Sequence, residues 1–323
     1  EPGADNAQPA LTSLPAPGRL LVTSPKGPWI VDRDGSQRLL GDYQEAAWSP
    51  SGLFAVVSRS RQLTAVDPVG NLRWSLAARR PVSNPAWSTS GSPVAYMSGS
   101  SLRVVDGDGT EDRPLADRVT PVVPAWRPLR DPVPAGQVAV GPKTNLLAYI
   151  DRRDRVTLRD VDAGEVLWHT HRYAAPIEEL QWSADRKRLL VRTASFVDFL
   201  DARGRASSRV TWPTFGASMS PDSRRTAFIR RAKKGRSEVV VTGRYGEGQP
   251  RSVLTRAGRL TDPTWSPDGK WLLVARRDAD QWLLIRPSRP VRVDAVANIS
   301  RQFAPGASAQ PPFPGISGWC CTR

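Results

Sequence analysis

The sequence predicts an all-β fold built from repeated four-stranded units, and two offset repeats carry this prediction. In the first repeat, a Trp or Met precedes a short polar turn, and in every copy except Trp126-Arg-Pro the next residue is the small residue serine. Its copies begin at Trp48, Trp87, Trp126, Trp182, Met219 and Trp265. A period of about 40 residues is typical of β-propellers, whose units bury their faces by stacking on one another.

The second repeat is a series of Asp/Gly turns, most of which follow a motif Trp at the same distance. Its members are Asp32–Gly35, Asp67–Gly70, Asp106–Gly109, Asp160–Gly164 and Asp201–Gly204. Asp accepts local backbone hydrogen bonds and Gly adopts positive φ, so both residues suit hairpin turns. Short apolar runs such as Leu146–Ile150 lie between the turns. Together these features predict four-stranded blades in a single β-propeller.

The two ends of the sequence predict seven blades, with six as the alternative. Residues 19–40 supply three strands without a first strand, and Trp319 lies in a first-strand-like segment that no strand follows. We therefore predict that Ile316–Cys320 pairs beside Leu20–Thr23, because such closure removes free sheet edges. The propeller is expected to occupy residues 19–323, and the Pro/Ala-rich residues 1–18 are expected to form a flexible tail or linker.

Composition alone does not determine the cellular compartment of the protein. No run of 18 or more apolar residues is present, which predicts the absence of a membrane-spanning helix. The sequence starts at Glu1, so an upstream export signal or anchor is compatible with it. The two cysteines, Cys320 and Cys321, are adjacent. Because neighbouring side chains on a strand point to opposite faces, two separate thiols are favoured over a vicinal disulfide.

The net charge of +15 favours an anionic partner, although an arginine bias is equally typical of GC-rich genomes. In a propeller, the loops between second and third strands and those between blades emerge on one face. These loops are basic here, whereas the repeat turns on the opposite face are acidic, and such segregation attracts an acidic surface. The predicted binding residues are Arg152, Arg153, Arg155, Arg230, Arg231, Lys233, Lys234, Arg236, Arg276 and Arg277.

The sequence gives little support for metal, cofactor or nucleic-acid chemistry. His169 and His171 share one strand face, but no further ligand has matching spacing. Asp106–Asp112 resembles half a calcium loop and lacks its distal Glu. The run Arg230–Arg236 contains no aromatic residue for base stacking, which disfavours a nucleic-acid partner. We expect no cofactor and no metal.

Two long connections, Arg127–Thr144 and Val296–Pro312, are candidates for partner contacts or for surface decoration. The second contains Asn298-Ile-Ser300, which has the pattern of an N-glycosylation site, a match without meaning in a bacterial protein.

Trp265-Ser-Pro-Asp-Gly-Lys-Trp-Leu-Leu273 and its degenerate copies resemble the TolB-like, WD-repeat-like propeller family over residues 19–321. The resemblance implies that the Ser-Pro-Asp-Gly turn is structural and that the chain is extracytoplasmic: periplasmic, cell-surface or secreted. Family members include periplasmic TolB, which acts through protein–protein contact, and propellers attached to serine peptidases. Neither TolB's separate N-terminal domain nor a peptidase domain is expected here.

Two function classes therefore stay open. The first is a monomeric, non-enzymatic scaffold whose basic loop face docks a protein or an anionic envelope polymer. The alternative is a propeller enzyme, lactonase- or lyase-like, with a site at the central channel. First-strand positions offer Glu45, Glu178 and Glu179 as its candidate residues.

Overall fold

Seven four-stranded antiparallel sheets form a seven-bladed β-propeller within residues 8–131, 137–139, 141, 143–307 and 309–321, which the computed structural model describes. This confirms the predicted fold class and blade number. The chain divides into two compact units. We call Glu1–Leu39 with Thr211–Arg323 the end unit, and Leu40–Val210 the middle unit.

The strands follow one another in chain order with little else between them. The first three are β1 (Arg19–Ser24), β2 (Gly27–Val31) and β3 (Gln37–Leu39). The middle unit contains β4 (Glu45–Trp48), β5 (Ala55–Arg59), β6 (Gln62–Val66), β7 (Leu72–Ala77), β8 (Val82–Trp87), β9 (Val94–Ser98), β10 (Ser101–Val105), β11 (Arg113–Ala116), β12 (Ala125–Trp126), β13 (Leu146–Ile150), β14 (Val156–Asp160), β15 (Glu165–His169), β16 (Ile177–Trp182), β17 (Leu189–Thr193), β18 (Val197–Leu200) and β19 (Ala206–Val210). The end unit continues with β20 (Thr214–Met219), β21 (Thr226–Arg231), β22 (Arg236–Thr242), β23 (Arg251–Ala257), β24 (Leu260–Trp265), β25 (Leu272–Arg276), β26 (Gln281–Arg286), β27 (Arg292–Val296), the short helix α1 (Ile299–Gln302) and β28 (Gly315–Cys320).

The predicted closure between the two ends of the sequence is confirmed. Strand β28 pairs antiparallel with β1, and the sheet order is β28-β1-β2-β3. Leu20 lies opposite Trp319 and Val22 opposite Ile316, with a bulge between Leu21 and Val22. Strand β1 therefore lies inside a sheet and presents no free edge.

Five of the motif tryptophans belong to the hydrophobic cores, whereas Trp48 is half-buried and lies in none of the core clusters that the described residues form. Trp87, Trp126 and Trp182 lie in three separate clusters of the middle unit. Trp265 and Trp319 lie in two clusters of the end unit. The cores are filled mainly by second and third strands, whose continuous apolar runs match burial on both faces.

Residues 8–18 pack against the propeller core instead of standing away from it. Leu11, Leu14 and Ala16 are buried in the same cluster as Trp319, and the Leu14 amide donates to the Arg33 carbonyl over 2.8 Å. The prediction of a flexible tail over residues 1–18 did not include this packing, because Leu11, Leu14 and Ala16 do not follow the alternation of a strand. The boundary at residue 19 stays a prediction.

The connection Val296–Pro312 also contributes to the core. It contains α1, and Ile299 and Phe303 are fully buried. The Phe303 ring lies 5.3 Å from the ring of Trp282 and 5.9 Å from that of Trp29, between centroids. Core packing is a role that the sequence pattern of this connection did not indicate.

A disulfide joins Cys320 to Cys321, against the expectation of two separate thiols. The expectation assumed that both residues continue one strand. Strand β28 ends at Cys320, and Cys321 has a φ of 63°, so the alternation of strand side chains does not extend to it.

Candidate functional site

The basic run Arg230–Arg236 forms the hairpin between β21 and β22 in the end unit. The Ala232 amide donates to the Arg236 carbonyl over 2.8 Å, and Lys234 and Gly235 have positive φ at the turn. Arg231, Lys233 and Lys234 are exposed, whereas Arg230 and Arg236 are half-buried. The structure thus brings these five predicted residues together and presents three of them to solvent.

Arg230 is held in place by two neighbours. Its Nε donates to Glu238 Oε2 over 2.7 Å, and its guanidinium lies 4.7 Å from the ring centroid of Trp212. Burial alone would raise the pKa of Glu238, but the hydrogen bonds from Arg230 and Ser252 lower it below its usual value. A shallow groove of about 470 Å³ runs beside these groups, and Arg231 and Lys233 also line it. The groove is therefore lined by Arg230, whose side chain is held by its neighbours, and by the exposed cations Arg231 and Lys233.

Aromatic side chains do accompany the basic residues, which sequence reasoning missed. Arg231 and Arg259 lie over the ring of Phe215, at 5.8 and 4.8 Å from its centroid. Arg277 lies 5.7 Å from the centroid of Phe313. The rings come from other segments of the chain, so no local pattern of alternating basic and aromatic residues could reveal them. Such contacts fix the direction of a guanidinium and leave its charge intact.

Arg276 and Arg277 are largely engaged within the protein. Arg277 Nη2 lies 2.9 Å from Asp262 Oδ2, and Arg276 Nε lies 3.9 Å from Asp278 Oδ1. Asp262 has a φ of 56° and precedes Pro263 at a bulge in β24. Asn84 has the same conformation before Pro85 at the bulge in β8, so an acidic or amide residue followed by proline accompanies both bulges.

Arg152, Arg153 and Arg155 share one turn of the middle unit, between β13 and β14. Asp151 Oδ1 accepts from the Arg153 amide over 2.8 Å, and Asp151 Oδ2 accepts from Arg155 Nε and Nη2 over 2.9 and 2.7 Å. Burial opposes ionisation of Asp151, yet these hydrogen bonds hold its pKa below the usual value. Arg152 and Arg153 are exposed, and no ion pair involves either residue within the described part of the chain.

The carboxylates considered for an enzyme are occupied by local partners. Glu178 and Glu179 both bind Arg192, whose side chain is buried. Glu45 accepts from the Asn84 amide, and burial raises the pKa of Glu45 above its usual value. Among the residues that the structure describes, no group of three His, Cys, Asp or Glu side chains could hold a metal ion.

The two remaining sequence candidates also lie at ordinary positions. His169 ends β15 and His171 follows it, and both are exposed at the side of a groove. In the Asp106–Asp112 segment, Asp108 Oδ1 accepts from the Thr110 amide and hydroxyl, and Asp112 pairs with Arg103. These carboxylates stabilise a turn and an ion pair.

The connection Arg127–Thr144 is described only in part, and its Pro132, Pro134 and Pro142 lie outside the described residues. At its start, Arg127 Nη2 donates to the Arg186 carbonyl over 3.0 Å, and the guanidinium lies 5.2 Å from the ring centroid of Trp182. No helix of the described residues is long and apolar enough to span a membrane.

Comparisons with known proteins agree on the fold. Residues 206–303 match the family described as the lipoprotein LpqB beta-propeller domain. No curated protein matches the sequence.

Solved structures of low sequence identity share the architecture. A putative 6-phosphogluconolactonase from Bacteroides uniformis has a TM-score of 0.60 and 15% identity, over 93% of this chain and 99% of that one. Hsv2p from Kluyveromyces lactis has a TM-score of 0.58 and 11% identity, over 87% and 91%. Hydrazine synthase from Kuenenia stuttgartiensis has a TM-score of 0.55 and 16% identity, over 76% of each chain. At such identities the likeness establishes the β-propeller fold alone.

Proposed function

We propose that this propeller is a non-enzymatic binding module of the cell envelope or the secreted space. It docks an acidic protein or an anionic envelope polymer on the hairpin Arg230–Arg236, with Arg152 and Arg153 as a second basic cluster. The observation that carries the proposal is the set of exposed cations at Arg231, Lys233 and Lys234 beside the groove. The similarity of residues 206–303 to a lipoprotein propeller domain supports the envelope location.

Two features of the hairpin favour binding over simple solvation. Arg230 is already paired with Glu238 and packed on Trp212, so ordering it on binding costs little entropy. The exposed cations stand together on one short turn, where their fields add and speed the approach of an acidic partner.

The test compares charge reversal in the hairpin with charge reversal elsewhere in the same unit. The variant Arg231→Glu/Lys233→Glu/Lys234→Glu leaves the Arg230–Glu238 pair intact. Its control is Arg33→Glu/Arg38→Glu/Arg224→Glu, which changes three exposed arginines of the end unit by the same charge. Poly-L-glutamate and heparin serve as the acidic and polyanionic probes.

We expect the hairpin variant to bind both probes about tenfold more weakly, or worse, than the control. Binding of the unaltered protein should weaken steeply with added salt, because the contacts are exposed charges. Equal binding by the two variants would contradict the proposed surface.

A propeller enzyme remains the second candidate, since the chain shares its fold with a putative lactonase. Of its candidate carboxylates, Glu45 is the one whose pKa is raised by burial, a property that catalytic acids and bases share, although Glu45 also accepts a hydrogen bond from the Asn84 amide. Metal analysis of the purified protein separates the candidates: stoichiometric bound metal would favour the enzyme and oppose the scaffold.

A further inference from the structure

A second groove, in the middle unit, has a more elaborate construction than the basic hairpin. It lies between the end of β15 with residues 170–175 and the pair β18 and β19 with their turn, and its volume is about 920 Å³. Ligand pockets for small molecules have volumes of about 300–1,000 Å³. This groove shares only Arg155 with the predicted binding residues, so it is a separate feature.

The floor of the groove is a layer of aromatic rings. Tyr173 and Phe196 stack with a centroid distance of 6.2 Å and an interplanar angle of 20°. The guanidinium of Arg209 lies 4.2 Å from the centroid of Phe196. The floor therefore presents apolar rings with a planar cation stacked on one of them.

A buried carboxylate fixes that planar cation. Asp198 is 2% exposed and accepts from Arg209 Nε and Nη2 over 2.6 and 2.7 Å. The Tyr173 hydroxyl also donates to Asp198, over 3.2 Å. Half of the Arg209 side chain is still exposed, so one guanidinium face is both immobilised and open to the groove.

Two further arginines, Arg203 and Arg205, line the groove, and the charge of Arg205 is among the causes that lower the pKa of the neighbouring Asp201. Asp201 Oδ1 accepts from the amides of Arg203 and Arg205 over 2.8 and 2.9 Å, which fixes the turn between β18 and β19. Gly204, at φ 78°, is pressed against Trp168, where an added Cβ would lie 2.6 Å from the indole. Arg203 and Arg205 are exposed, and neither forms an ion pair with any residue in the described ranges.

The other cations of the groove are already neutralised. Arg155 pairs with Asp151, and Arg172 pairs with Asp154 over 3.1 Å. The charge available to a ligand thus resides at Arg203 and Arg205, while the exposed His169 and His171 add ring N–H donors at the opposite side.

We propose that this groove binds a small organic phosphate with a planar aromatic body. The aromatic body stacks on the immobilised face of Arg209 and contacts the Tyr173–Phe196 floor. The phosphate accepts hydrogen bonds from the guanidinium groups of Arg203 and Arg205, whose forked donors match its oxygens. An inorganic anion would make no contact with the aromatic floor, and an uncharged aromatic would gain nothing from the charges of Arg203 and Arg205.

The test measures binding by isothermal titration calorimetry on the full chain. The probes are adenosine monophosphate and phenyl phosphate, with adenosine and inorganic phosphate as the matched partial ligands. We expect at least one aromatic phosphate to bind about tenfold more tightly than either partial ligand. The groove does not include the hairpin Arg230–Arg236, so the hairpin charge-reversal variant should bind the aromatic phosphate as tightly as the unaltered protein does.

The deciding variant is Arg203→Gln/Arg205→Gln, which leaves the Asp198 network intact. It should bind the aromatic phosphate about tenfold more weakly and bind adenosine unchanged. The control Arg33→Gln/Arg38→Gln should bind both as the unaltered protein does. Aromatic phosphates that bind no more tightly than inorganic phosphate, or that bind the Arg203→Gln/Arg205→Gln variant equally well, would overturn the proposal.

Discussion

The serine that follows the motif Trp or Met stabilises the repeat turn by hydrogen bonding to the backbone. Ser49, Ser88, Ser183, Ser220 and Ser266 are all buried. In four of the five copies that contain this serine, its hydroxyl accepts from the backbone amide five residues later, over 2.9–3.0 Å, and the copy at Trp126 has Arg127 instead. The exception is the copy at Ser88, whose fifth residue onward is Pro93. Proline has no amide hydrogen, and Ser88 instead donates to Asn145.

This geometry predicts that Ser266→Ala destabilises the protein by about 1–3 kcal/mol, because the buried Trp271 amide loses its side-chain acceptor. Urea unfolding of the purified variant measures the loss. Ser36→Ala is the control, since Ser36 is exposed and its hydroxyl donates to the exposed Asp34. Equal stabilities for the two variants would show that the motif serine is dispensable.

Glu45 makes stability depend on pH. Burial raises its pKa above the usual value, although the hydrogen bond from the Asn84 amide acts in the opposite direction. A carboxyl whose pKa is higher in the folded state stabilises the fold below its unfolded-state pKa. That stability is lost as the pH rises through the folded-state value.

We therefore expect Glu45→Gln to gain stability relative to the unaltered protein as the pH rises from about 4 to about 8. The glutamine stays neutral and keeps an oxygen that can accept from Asn84. Unfolding free energies across this range test the prediction, with the exposed Glu165→Gln as control. Parallel pH curves for Glu45→Gln and the unaltered protein would contradict it.

At the scale of elements, the closing strand β28 depends on Trp319. This side chain is 7% exposed and packs in the cluster that also contains Leu20 and Trp29. Removing a buried Trp side chain costs about 3–5 kcal/mol, so Trp319→Ala should lower the unfolding free energy by that amount. It should also promote aggregation, because a loosened β28 exposes the edge of β1.

The matched variant Trp319→Phe retains an aromatic ring and should lose much less stability. Thermal unfolding with light scattering measures both effects. The assignment of β28 as the closing strand would fail if the alanine variant were as stable and as soluble as the phenylalanine variant.

Second strands were among the easiest elements to predict from sequence, because burial on both faces makes them continuous apolar runs, as in β13, which coincides with the predicted run Leu146–Ile150. The bulges at Asn84 and Asp262 were missed, since only a single residue pair marks each of them. The packing of Leu11 and Leu14 was missed because it depends on tertiary contacts of a segment without period.

At the scale of the whole molecule, the spacing of the repeats predicted which strands each loop connects. It therefore predicted that the cations of Arg230–Arg236 lie in a loop between strands. The repeat phase did not predict the ion pairs of Arg276 with Asp278 and of Arg277 with Asp262. It also did not predict that Arg230 packs on Trp212 or that Arg259 packs on Phe215. These partners come from other segments of the chain, and a sequence pattern reports only neighbours along the chain.

The groove of Arg203 and Arg205 shows the same limit more clearly. In sequence, its aromatic and arginine residues are scattered between residues 155 and 209. Asp198 reads as one polar residue in an apolar strand, yet it organises the floor. A lone acid in such a strand is the one signal that could have pointed to the groove, because a buried charge requires a partner.

The pairing of β28 with β1 also sets the order in which the protein can assemble. Leu20 finds its neighbour Trp319 only after nearly the whole printed sequence has left the ribosome. The middle unit is continuous in sequence, so its four blades can fold during synthesis, while β1 to β3 wait with one edge open. Non-local closure of this kind is slow, so we expect Arg19–Leu39 to keep an unpaired strand edge until β28 is available.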